Sequence, residues 1–563
     1  MATVAPSPTQ AAPRANVPAN LGNYLIARLH AYGVEHVFGV PGDYVITLWD
    51  QMLASGLMQT INTCDEQGAG YAADAYARVK GLGAAAVVYG VGGFKLLNTT
   101  AQAYAEKSPV VVISGTPGLR ERGRGPVSHH LVESYYTELR VFEQVTVAST
   151  FLEDPRTAPD EIDRVLSAAL AHKRPVYIGI PRDMYTAPVD PRHLPREHRR
   201  PGSNRESLAA ALHRAQELID RAQKPVIWAG EELQRYRLRE FLLNLVEVSK
   251  IPFASSVLGK GILAETHPLA LGVYNGALAA DGTREYVESS DCLITLGVMH
   301  TDLNYGFFTA KVDPAAGIFA AADQVTIGER IYEQVRLEDF VEGLAAAGFT
   351  RSAPASVPNP PVPPVFEAVP GRKLTSARMF EALNAFADQK TVFTTDNGET
   401  SWAGVTLLAR ADEGFFSPGY YASVGYSVPT AMGLAFADRS RRVLALTGDA
   451  AFQMTGVELS TMSRFGLNPI VVVMNNGGYG TERPLFDQPF DDIGAWNYAE
   501  LAQVMNSGKG FVAQTEDQLD NALHAAGDYT EGCVLIDVRL DKGDYSPAFQ
   551  RFIDLFGKGA KPE

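Results

Sequence analysis

From Leu21 onward, the chain alternates between segments with helical and with strand-like spacing of hydrophobic residues. The first helical segment, NYLIARLHAYG, places its apolar residues on one face of a helix. The strand-like runs are short, rich in β-branched residues and end at Gly or Pro; they read HVFGV, AAAVVYG, PVVVISG and PVYIGI. This alternation predicts an α/β fold in which helices cover doubly wound parallel sheets.

Two interruptions rich in Pro divide this pattern. Residues 186–204, TAPVDPRHLPREHRRPGSN, and residues 352–372, SAPASVPNPPVPPVFEAVPGR, predict linkers. A second α/β block contains KPVIWAG, PFASS and CLITLG, and a third contains TVFTTD, VLALTG, PIVVVM and CVLIDV. We therefore expect a disordered arm at 1–20, an N-terminal domain at 21–190, a central domain at 205–350, a Pro-rich linker at 351–373 and a C-terminal domain at 374–545.

The first and third blocks share a local pattern. NYLIARLHAYGVEHVFGVPGDY and ARMFEALNAFADQKTVFTTDNGE each give a helix, a strand and then an acidic turn that contains Gly. Two unrelated α/β domains can share so short a pattern by chance. The hypothesis is that two related domains flank a third.

Composition narrows the class of protein. The chain has 563 residues, 46% hydrophobic and 20% charged, which predicts a multidomain globular protein. A formal charge of −15 without a Lys/Arg cluster argues against a nucleic-acid or anionic-membrane partner, and no apolar run approaches the ~20 residues of a membrane span. Cys64, Cys292 and Cys533 are far apart, which argues against disulfides or a thiolate zinc site and favours the cytoplasm.

Two apolar runs of the third block end at polar residues that could hold a metal. Asp449 follows VLALTG and Asn476 follows PIVVVM, so both fall at strand ends, where open α/β sheets bind ligands. Asp449, the Asn476 amide and a backbone carbonyl in the Gly477-Gly478 turn offer oxygens of the kind that Mg²⁺ prefers. Backbone N–H groups of the turns and a helix starting near Thr455 would suit phosphate oxygens. The pattern predicts a metal diphosphate site.

This stretch resembles the signature of thiamine-diphosphate (ThDP) enzymes, which is Gly-Asp-Gly followed by about two dozen residues and Asn-Asn. Here it reads GDA, 24 residues and NN. Ala450 departs from the family, which normally has Gly at this position. If the position needs positive φ, the Cβ costs ~1 kcal/mol, and if it needs close approach to the diphosphate, the methyl group crowds the ligand.

The resemblance extends to an acid in the N-terminal domain. In ThDP enzymes a carboxylic acid bonds to the cofactor's aminopyrimidine and promotes formation of the ylid, and Glu66 in NTCDEQGAGYAADAYAR matches that position. The small-residue helix GAGYAADAYAR would let another surface pack closely. Apart from the resemblance, Glu66 would be an ordinary acid stabilising a helix N-terminus.

Further residues resemble those of the 2-oxo-acid decarboxylases, and the sequence is most similar to the phenylpyruvate and indolepyruvate branch. Asp43 in VPGDY, His129 and His130 in VSHHLVES, and Glu482 in NNGGYGTER match that group's active-site acids and histidines. Taken alone, adjacent histidines would be exposed loop residues. The resemblance gives the catalytic set as Asp43, Glu66, His129, His130 and Glu482, the metal ligands as Asp449, Asn476 and Gly478, and the remaining cofactor contacts as Gly398, Glu399, Val424, Gly448, Ala450 and Ala451.

The resemblance implies decarboxylation of a 2-oxo acid to an aldehyde and CO₂, through a thiazolium ylid and an enamine, with ThDP and Mg²⁺ as cofactors. Ser401 stands where pyruvate-specific relatives carry a large aromatic residue, so aromatic or branched acids are expected ahead of pyruvate. The catalytic halves of this family meet between subunits, which implies a homodimer and a homotetramer built from two. Alternatives are a carboligase or oxidase similar to acetolactate synthase, a silent ThDP-binding homologue, and an unrelated α/β protein.

Overall fold

The computed structural model of the protein describes residues 19–123, 125–190, 192–196, 201–313, 317–349, 354, 356–358 and 365–557. Most of the predicted arm at 1–20 and part of the Pro-rich linker lie outside these residues. Three sheets follow one another along the chain, each covered by helices. The prediction of three α/β domains is therefore confirmed.

The N-terminal sheet has six parallel strands in the order β2-β1-β3-β4-β6-β5. Its strands are β1 (His36–Gly39), β2 (Gln59–Asn62), β3 (Gly83–Val88), β4 (Val110–Thr116), β5 (Ala148–Phe151) and β6 (Val176–Pro181). Its helices are α1 (Leu21–Ala31), α2 (Ile46–Ser55), α3 (Glu66–Lys80), α4 (Gly93–Ala105), α5 (Thr137–Phe142) and α6 (Ala158–His172). Strands β3, β4 and β6 are buried along their whole length, which explains their continuous apolar runs.

The central sheet has seven strands in the order β13-β12-β11-β10-β7-β8-β9. Five strands are parallel, whereas β12 and β13 extend the edge in antiparallel pairing. The strands are β7 (Pro225–Ala229), β8 (Phe253–Ser255), β9 (Ala270–Val273), β10 (Cys292–Leu296), β11 (Ile318–Ala321), β12 (Gln324–Ile327) and β13 (Arg330–Glu333). The helices are α7 (Arg205–Arg221), α8 (Glu231–Arg235), α9 (Arg239–Ser249), α10 (Asp281–Glu288) and α11 (Leu337–Ala346). The expected purely parallel sheet thus has a mixed edge.

The C-terminal sheet has six parallel strands in the order β15-β14-β16-β17-β19-β18. Its strands are β14 (Thr391–Thr395), β15 (Phe415–Phe416), β16 (Arg442–Gly448), β17 (Ile470–Asn475), β18 (Gly508–Ala513) and β19 (Cys533–Arg539). Its helices are α12 (Ser376–Phe386), α13 (Glu399–Gly404), α14 (Ser427–Ala437), α15 (Asp449–Thr455), α16 (Glu458–Arg464), α17 (Tyr498–Val504), α18 (Glu516–Asp528) and α19 (Pro547–Gly557).

The first and third sheets have the same topology. Numbered within its own domain, each sheet runs 2-1-3-4-6-5, which supports the hypothesis of two related domains. Their equivalent helices α3 and α14 pack on each other, and a Cβ on Gly433 would lie 2.2 Å from the carbonyl oxygen of Ala72. The small residues of α3 therefore allow the close packing that the sequence predicted, and one hydrophobic core joins the two domains.

No helix among the described residues combines the length and the apolar character that crossing a membrane requires.

Candidate active site

An open cleft of about 580 Å³ lies at the carboxyl ends of β14, β16 and β17. This is the edge of the sheet at which the sequence placed the metal site. The lining residues include all nine cofactor contacts predicted for the C-terminal domain. They are Asn397, Gly398, Glu399, Thr400, Val424, Gly448, Asp449, Ala450, Ala451, Met474, Asn476, Gly478, Tyr479, Gly480, Thr481 and Glu482.

Asp449 is the central acid of this cleft and is 1% exposed. Its Oδ2 accepts hydrogen bonds from the backbone N–H groups of Gly477 (2.7 Å) and Gly478 (3.0 Å). Its Oδ1 accepts one from the N–H of Ala450 at 2.8 Å. Burial raises the pKa of Asp449 to about 6, although these hydrogen bonds favour the ionised form. The Asp449 carboxylate therefore connects the end of β16 to the turn that follows β17.

The Gly477-Gly478 turn needs both of its glycines. Their φ angles are 80° and 140°, in the region that favours glycine. A Cβ on Gly478 would lie 1.9 Å from the carbonyl oxygen of Asp491. Any larger residue at this position would therefore force the turn away from Asp449.

The two asparagines of the NN pair have different roles. Asn475 donates from its side-chain amide to Asp537 on the adjacent strand at 2.8 Å, so it is part of the sheet's scaffold. Asn476 is 8% exposed, lines the cleft and makes no side-chain hydrogen bond within the described residues. Its amide is therefore available to a ligand in the cleft.

The helix at this site begins at Asp449, and the expectation of a start near Thr455 is wrong. Gly448 is the N-cap in extended backbone, and Asp449 occupies the first turn, where an acid is favourable. Ala450 consequently lies inside α15 with an ordinary negative φ. A requirement for positive φ at Ala450 is thus excluded, and only the close approach of a ligand could disfavour its methyl group.

These residues fit a magnesium-bound diphosphate. The Asp449 carboxylate and the unpartnered Asn476 amide face the same cleft, and Gly448 has open space where a Cβ would lie. Two oxygen ligands, a turn carbonyl and unobstructed backbone are the features that a hard cation with phosphate requires.

Asp396, which was not predicted, shapes the same cleft. This residue follows β14 and is fully buried; its carboxylate accepts hydrogen bonds from the N–H groups of Gly425 (2.8 Å), Ser427 (3.0 Å) and Asn397 (3.0 Å). Burial raises its pKa to about 6. Asp396 thereby holds the loop that presents Val424 to the cleft. The signal was available, because Asp396 ends a strand in the same way as Asp449.

Glu399, which was predicted as a cofactor contact, makes hydrogen bonds that stabilise the surrounding structure. Its Oε1 accepts hydrogen bonds at 2.6 Å from the Ser376 hydroxyl and from the backbone N–H of Ser546, just before α19. Its Oε2 is buried and has no partner within the described residues, and burial raises the pKa of this carboxyl. Glu399 thus ties the start of α19 to the cleft wall.

A second cavity of about 460 Å³ adjoins the cleft through Asn397 and contains Ser401 in its wall. Trp402 forms part of the same wall and packs on Phe552 of α19, with ring centroids 4.5 Å apart. The remaining lining residues are largely apolar and include part of the central domain: Val257, Asn275, Leu303, Val405, Pro418, Gly419 and Ala422.

Glu66 lies in the N-terminal domain, as the first residue of α3. Its side chain is 11% exposed, and its Oε2 is 2.9 Å from the Lys95 ammonium. The preceding loop is held by Glu458 of α16, whose carboxylate accepts hydrogen bonds at 3.1 Å from the backbone N–H groups of Cys64 and Asp65. Glu458 was not predicted, because a contact across 394 residues leaves no local pattern.

Asp43, His129 and His130, which the family resemblance assigned to the catalytic set, lie together in one cluster. The distance between His129 Nε2 and Asp43 Oδ2 is 3.1 Å, and the two histidine rings are 4.4 Å apart. On its other side, His129 Nδ1 is 3.2 Å from the Tyr44 hydroxyl. The cluster is open to solvent, since the side chains of His129 and Asp43 are 56% and 48% exposed.

Within one chain the two groups of predicted residues belong to different domains. Asp449, Asn476, Val424 and Glu482 share the C-terminal cleft, whose described lining comes from that domain alone. Glu66 and the histidine cluster belong to the N-terminal domain.

Comparison with known proteins gives consistent matches along the chain. Three family models match in order, described as thiamine pyrophosphate enzyme N-terminal TPP binding domain (19–136), central domain (212–342) and C-terminal TPP binding domain (396–538). Thiamine pyrophosphate is a synonym of ThDP.

Curated relatives match over nearly their full length. An indole-3-pyruvate decarboxylase of Azospirillum brasilense is 33% identical over 538 residues, covering 95% of this chain and 97% of the relative. An alpha-keto-acid decarboxylase of Mycobacterium tuberculosis is 35% identical over 532 residues (93% and 94%), and one of Mycobacterium leprae is 31% identical over 542 residues (95% and 95%). The chain therefore belongs to the ThDP-dependent 2-oxo-acid decarboxylase family.

Proposed function

We propose that this protein decarboxylates 2-oxo acids to aldehydes and CO₂, with aromatic or branched side chains favoured over pyruvate. The observation that carries the proposal is the buried Asp449 carboxylate beside the unpartnered Asn476 amide, in a cleft at the ends of parallel strands. The family match supports the reaction class.

Asp449, Asn476 and the carbonyl oxygen of Gly478 would hold Mg²⁺, and Gly448, Ala450 and Ala451 would contact the diphosphate. Gly398, Glu399 and Val424 line the part of the cleft left for the remainder of the cofactor. Bound ThDP supplies the electron sink that a departing CO₂ needs. The buried Asp449 carboxylate attracts the cation, and burial excludes the water that would compete for it.

Proton transfer falls to the chain's own acids and imidazoles. Glu66, at the start of α3, would bond to the cofactor's aminopyrimidine. The 3.1 Å contact between Asp43 and His129 forms a pair that exchanges protons with solvent, and His130 and Glu482 complete the set. The Tyr44 hydroxyl on Nδ1 of His129 keeps its Nε2 directed at Asp43.

The cavity behind Ser401 supports a preference for bulky substrates. It has about 460 Å³ of space and an apolar wall, so a phenyl, indolyl or branched side chain could enter it. A large aromatic residue at position 401 would fill much of this space, and the serine leaves it open.

The separation of the two residue groups supports a dimer. A complete site needs Glu66 and the histidine cluster of one chain next to the Asp449 cleft of another, so we propose a homodimer with two such sites and a homotetramer of two dimers. The paired histidines and Glu482 favour a decarboxylase over a carboligase or oxidase. Cys64, Cys292 and Cys533 form no disulfide, in keeping with a reducing cytoplasm.

The test is aldehyde and CO₂ release by metal-stripped protein after addition of Mg²⁺ and ThDP. Pyruvate, branched-chain acids, phenylpyruvate and indolepyruvate are compared. We expect metal-dependent aldehyde, most rapidly from the aromatic or branched acids. A faster reaction with pyruvate would refute the substrate preference, and ThDP binding without aldehyde from any acid would identify a silent homologue.

Glu66→Gln tests the role of the N-terminal domain. We expect loss of turnover with ThDP binding retained, measured by calorimetry. Glu35→Gln is the matched control, because Glu35 is an exposed acid of the same domain. Near-normal activity of the Glu66 variant would contradict the assignment.

A further inference from the structure

The Asp43, His129 and His130 cluster has the composition of a transition-metal site. Each residue offers one ligand atom, and these atoms all lie within 4.8 Å of one another. Two imidazoles and one carboxylate form a donor set that suits Zn²⁺ and related metals. A tetrahedral Zn²⁺ with ligand bonds of ~2.0–2.1 Å needs ligand atoms ~3.3 Å apart. The 3.1 Å between His129 Nε2 and Asp43 Oδ2 already meets this distance.

Neighbouring groups hold the two histidines in place. The Tyr44 hydroxyl lies 3.2 Å from His129 Nδ1, and its ring stacks on the imidazole with centroids 4.8 Å apart. The Tyr89 hydroxyl donates to the carbonyl oxygen of His129. His130 has a φ of 69°, and its backbone packs against Gly90, where a Cβ would lie 2.6 Å from the His130 carbonyl oxygen. A hydrogen bond to the non-ligating nitrogen is the usual way in which proteins orient a metal-binding histidine.

The cluster differs from the Asp449 cleft in chemistry and in accessibility. Asp449 and Asn476 offer oxygen only, which suits Mg²⁺, whereas the cluster offers two nitrogens and one oxygen. In the single chain the side chains of His129 and Asp43 are about half exposed, so an ion can reach their ligand atoms from solvent. The Asp449 cleft should therefore prefer Mg²⁺, and the histidine cluster should prefer Zn²⁺.

We infer that Asp43, His129 and His130 form a second metal site, which binds Zn²⁺ reversibly with three protein ligands and water in the fourth position. Bound Zn²⁺ occupies the nitrogen and oxygen lone pairs that would otherwise accept protons, so these groups can no longer carry protons and turnover is inhibited without displacement of Mg²⁺. The binding stands on the geometry alone, and only the inhibition depends on the proposed function.

Equilibrium dialysis against Zn²⁺ tests the site in the protein loaded with Mg²⁺ and ThDP, in a buffer that does not chelate metals. We expect one Zn²⁺ per chain in addition to Mg²⁺. His130→Ala and Asp43→Asn should each weaken Zn²⁺ binding at least ~tenfold. His524→Ala, which removes an exposed histidine elsewhere, should leave it unchanged.

Asp449→Ala separates the two sites, because it should lose Mg²⁺ and keep Zn²⁺. Co²⁺ in place of Zn²⁺ should give the visible absorption of a tetrahedral ion, and His129→Gln should abolish it. Unchanged Zn²⁺ binding in both His130→Ala and Asp43→Asn would overturn the inference. Loss of Zn²⁺ binding in Asp449→Ala would also overturn it, because Zn²⁺ would then occupy the magnesium site. In the active protein, inhibition by Zn²⁺ should be reversed by a chelator and not by added Mg²⁺.

Discussion

Glu458 links the C-terminal domain to the loop that carries Glu66, so its replacement by alanine should act on the N-terminal acid from a distance. Its buried carboxylate accepts hydrogen bonds from the backbone N–H groups of Cys64 and Asp65 and, at 2.7 Å, from the Thr461 hydroxyl. Alanine removes all three acceptor contacts. The backbone N–H groups of Cys64 and Asp65 then lose their hydrogen bonds to α16, and Arg464 of the same helix keeps its hydrogen bond to the Asn62 carbonyl oxygen.

The size of the effect follows from these hydrogen bonds. A bond to a charged acceptor contributes ~1.5–3 kcal/mol, and water can replace part of it because Cys64 is exposed. We therefore expect a loss of ~2–3 kcal/mol in the free energy that orders the first turn of α3. At ~1.4 kcal/mol per factor of ten, kcat should fall by up to ~30–150-fold. Mg²⁺ and diphosphate binding should change little, since Asp449 keeps its contacts.

The assay couples aldehyde formation to reduction by an alcohol dehydrogenase and follows NADH. Glu458→Gln is the control, because a glutamine oxygen can still accept from Cys64 and Asp65 while its amide donates to Thr461. We expect near-normal kcat for glutamine and a large loss for alanine. Equal kcat in the alanine variant and the wild type would refute the positioning role, and an equal loss in both variants would show that the charge matters instead.

Three further predictions concern the C-terminal cleft and the adjoining Ser401 cavity. Ala450→Gly should lower the free energy of unfolding by ~0.5–1 kcal/mol, because position 450 lies in a helix; calorimetry would show tighter ThDP binding only if the methyl group crowds the ligand, and a gain in stability would contradict the helical role. Ser401→Trp should reduce kcat/KM for phenylpyruvate more than for pyruvate, and equal losses would argue against the cavity as the side-chain site. Burial raises the pKa of Asp449 to about 6, and Mg²⁺ needs the ionised carboxylate, so Mg²⁺ affinity should fall ~tenfold per pH unit below about 6; constant affinity down to pH 5 would contradict this. In the cofactor-free protein, the folded form binds the Asp449 proton more tightly than the unfolded form does, so the contribution of Asp449 to stability should increase as the pH falls through about 6.

The sequence predicted the buried strands well, because strands such as β3, β16 and β17 are apolar on both faces and produce continuous runs. Edge strands were missed for the opposite reason. The strands β2 (QTIN) and β18 (GKGFVA) are partly exposed and read as loops. Antiparallel β12 and β13 were missed as well, because four-residue strands joined by a short turn resemble a loop.

The site was predictable where the chemistry is local. Asp449 and Asn476 follow strong strand signals, so the common edge of a parallel sheet brings them together. The start of α15 was misjudged because Gly448 and Asp449 read as a turn, although Gly448 caps a helix directly after the strand. Contacts made by tertiary packing, such as Glu458 with Cys64 or Glu399 with Ser546, depend on how the domains and helices pack and have no local sequence pattern.

The attachment of α19 has a practical consequence for handling the protein. Helix α19 begins directly after Ser546, whose backbone N–H donates to Glu399, and its Phe552 lies against Trp402 in the wall of the Ser401 cavity. A purification tag, fluorescent fusion or solid support joined at the C-terminus would therefore pull on the wall of that cavity. A tag or support at the N-terminal end is instead joined to the N-terminal domain near Asn20, which pairs with Pro188. This end is the better choice for immobilising an active catalyst.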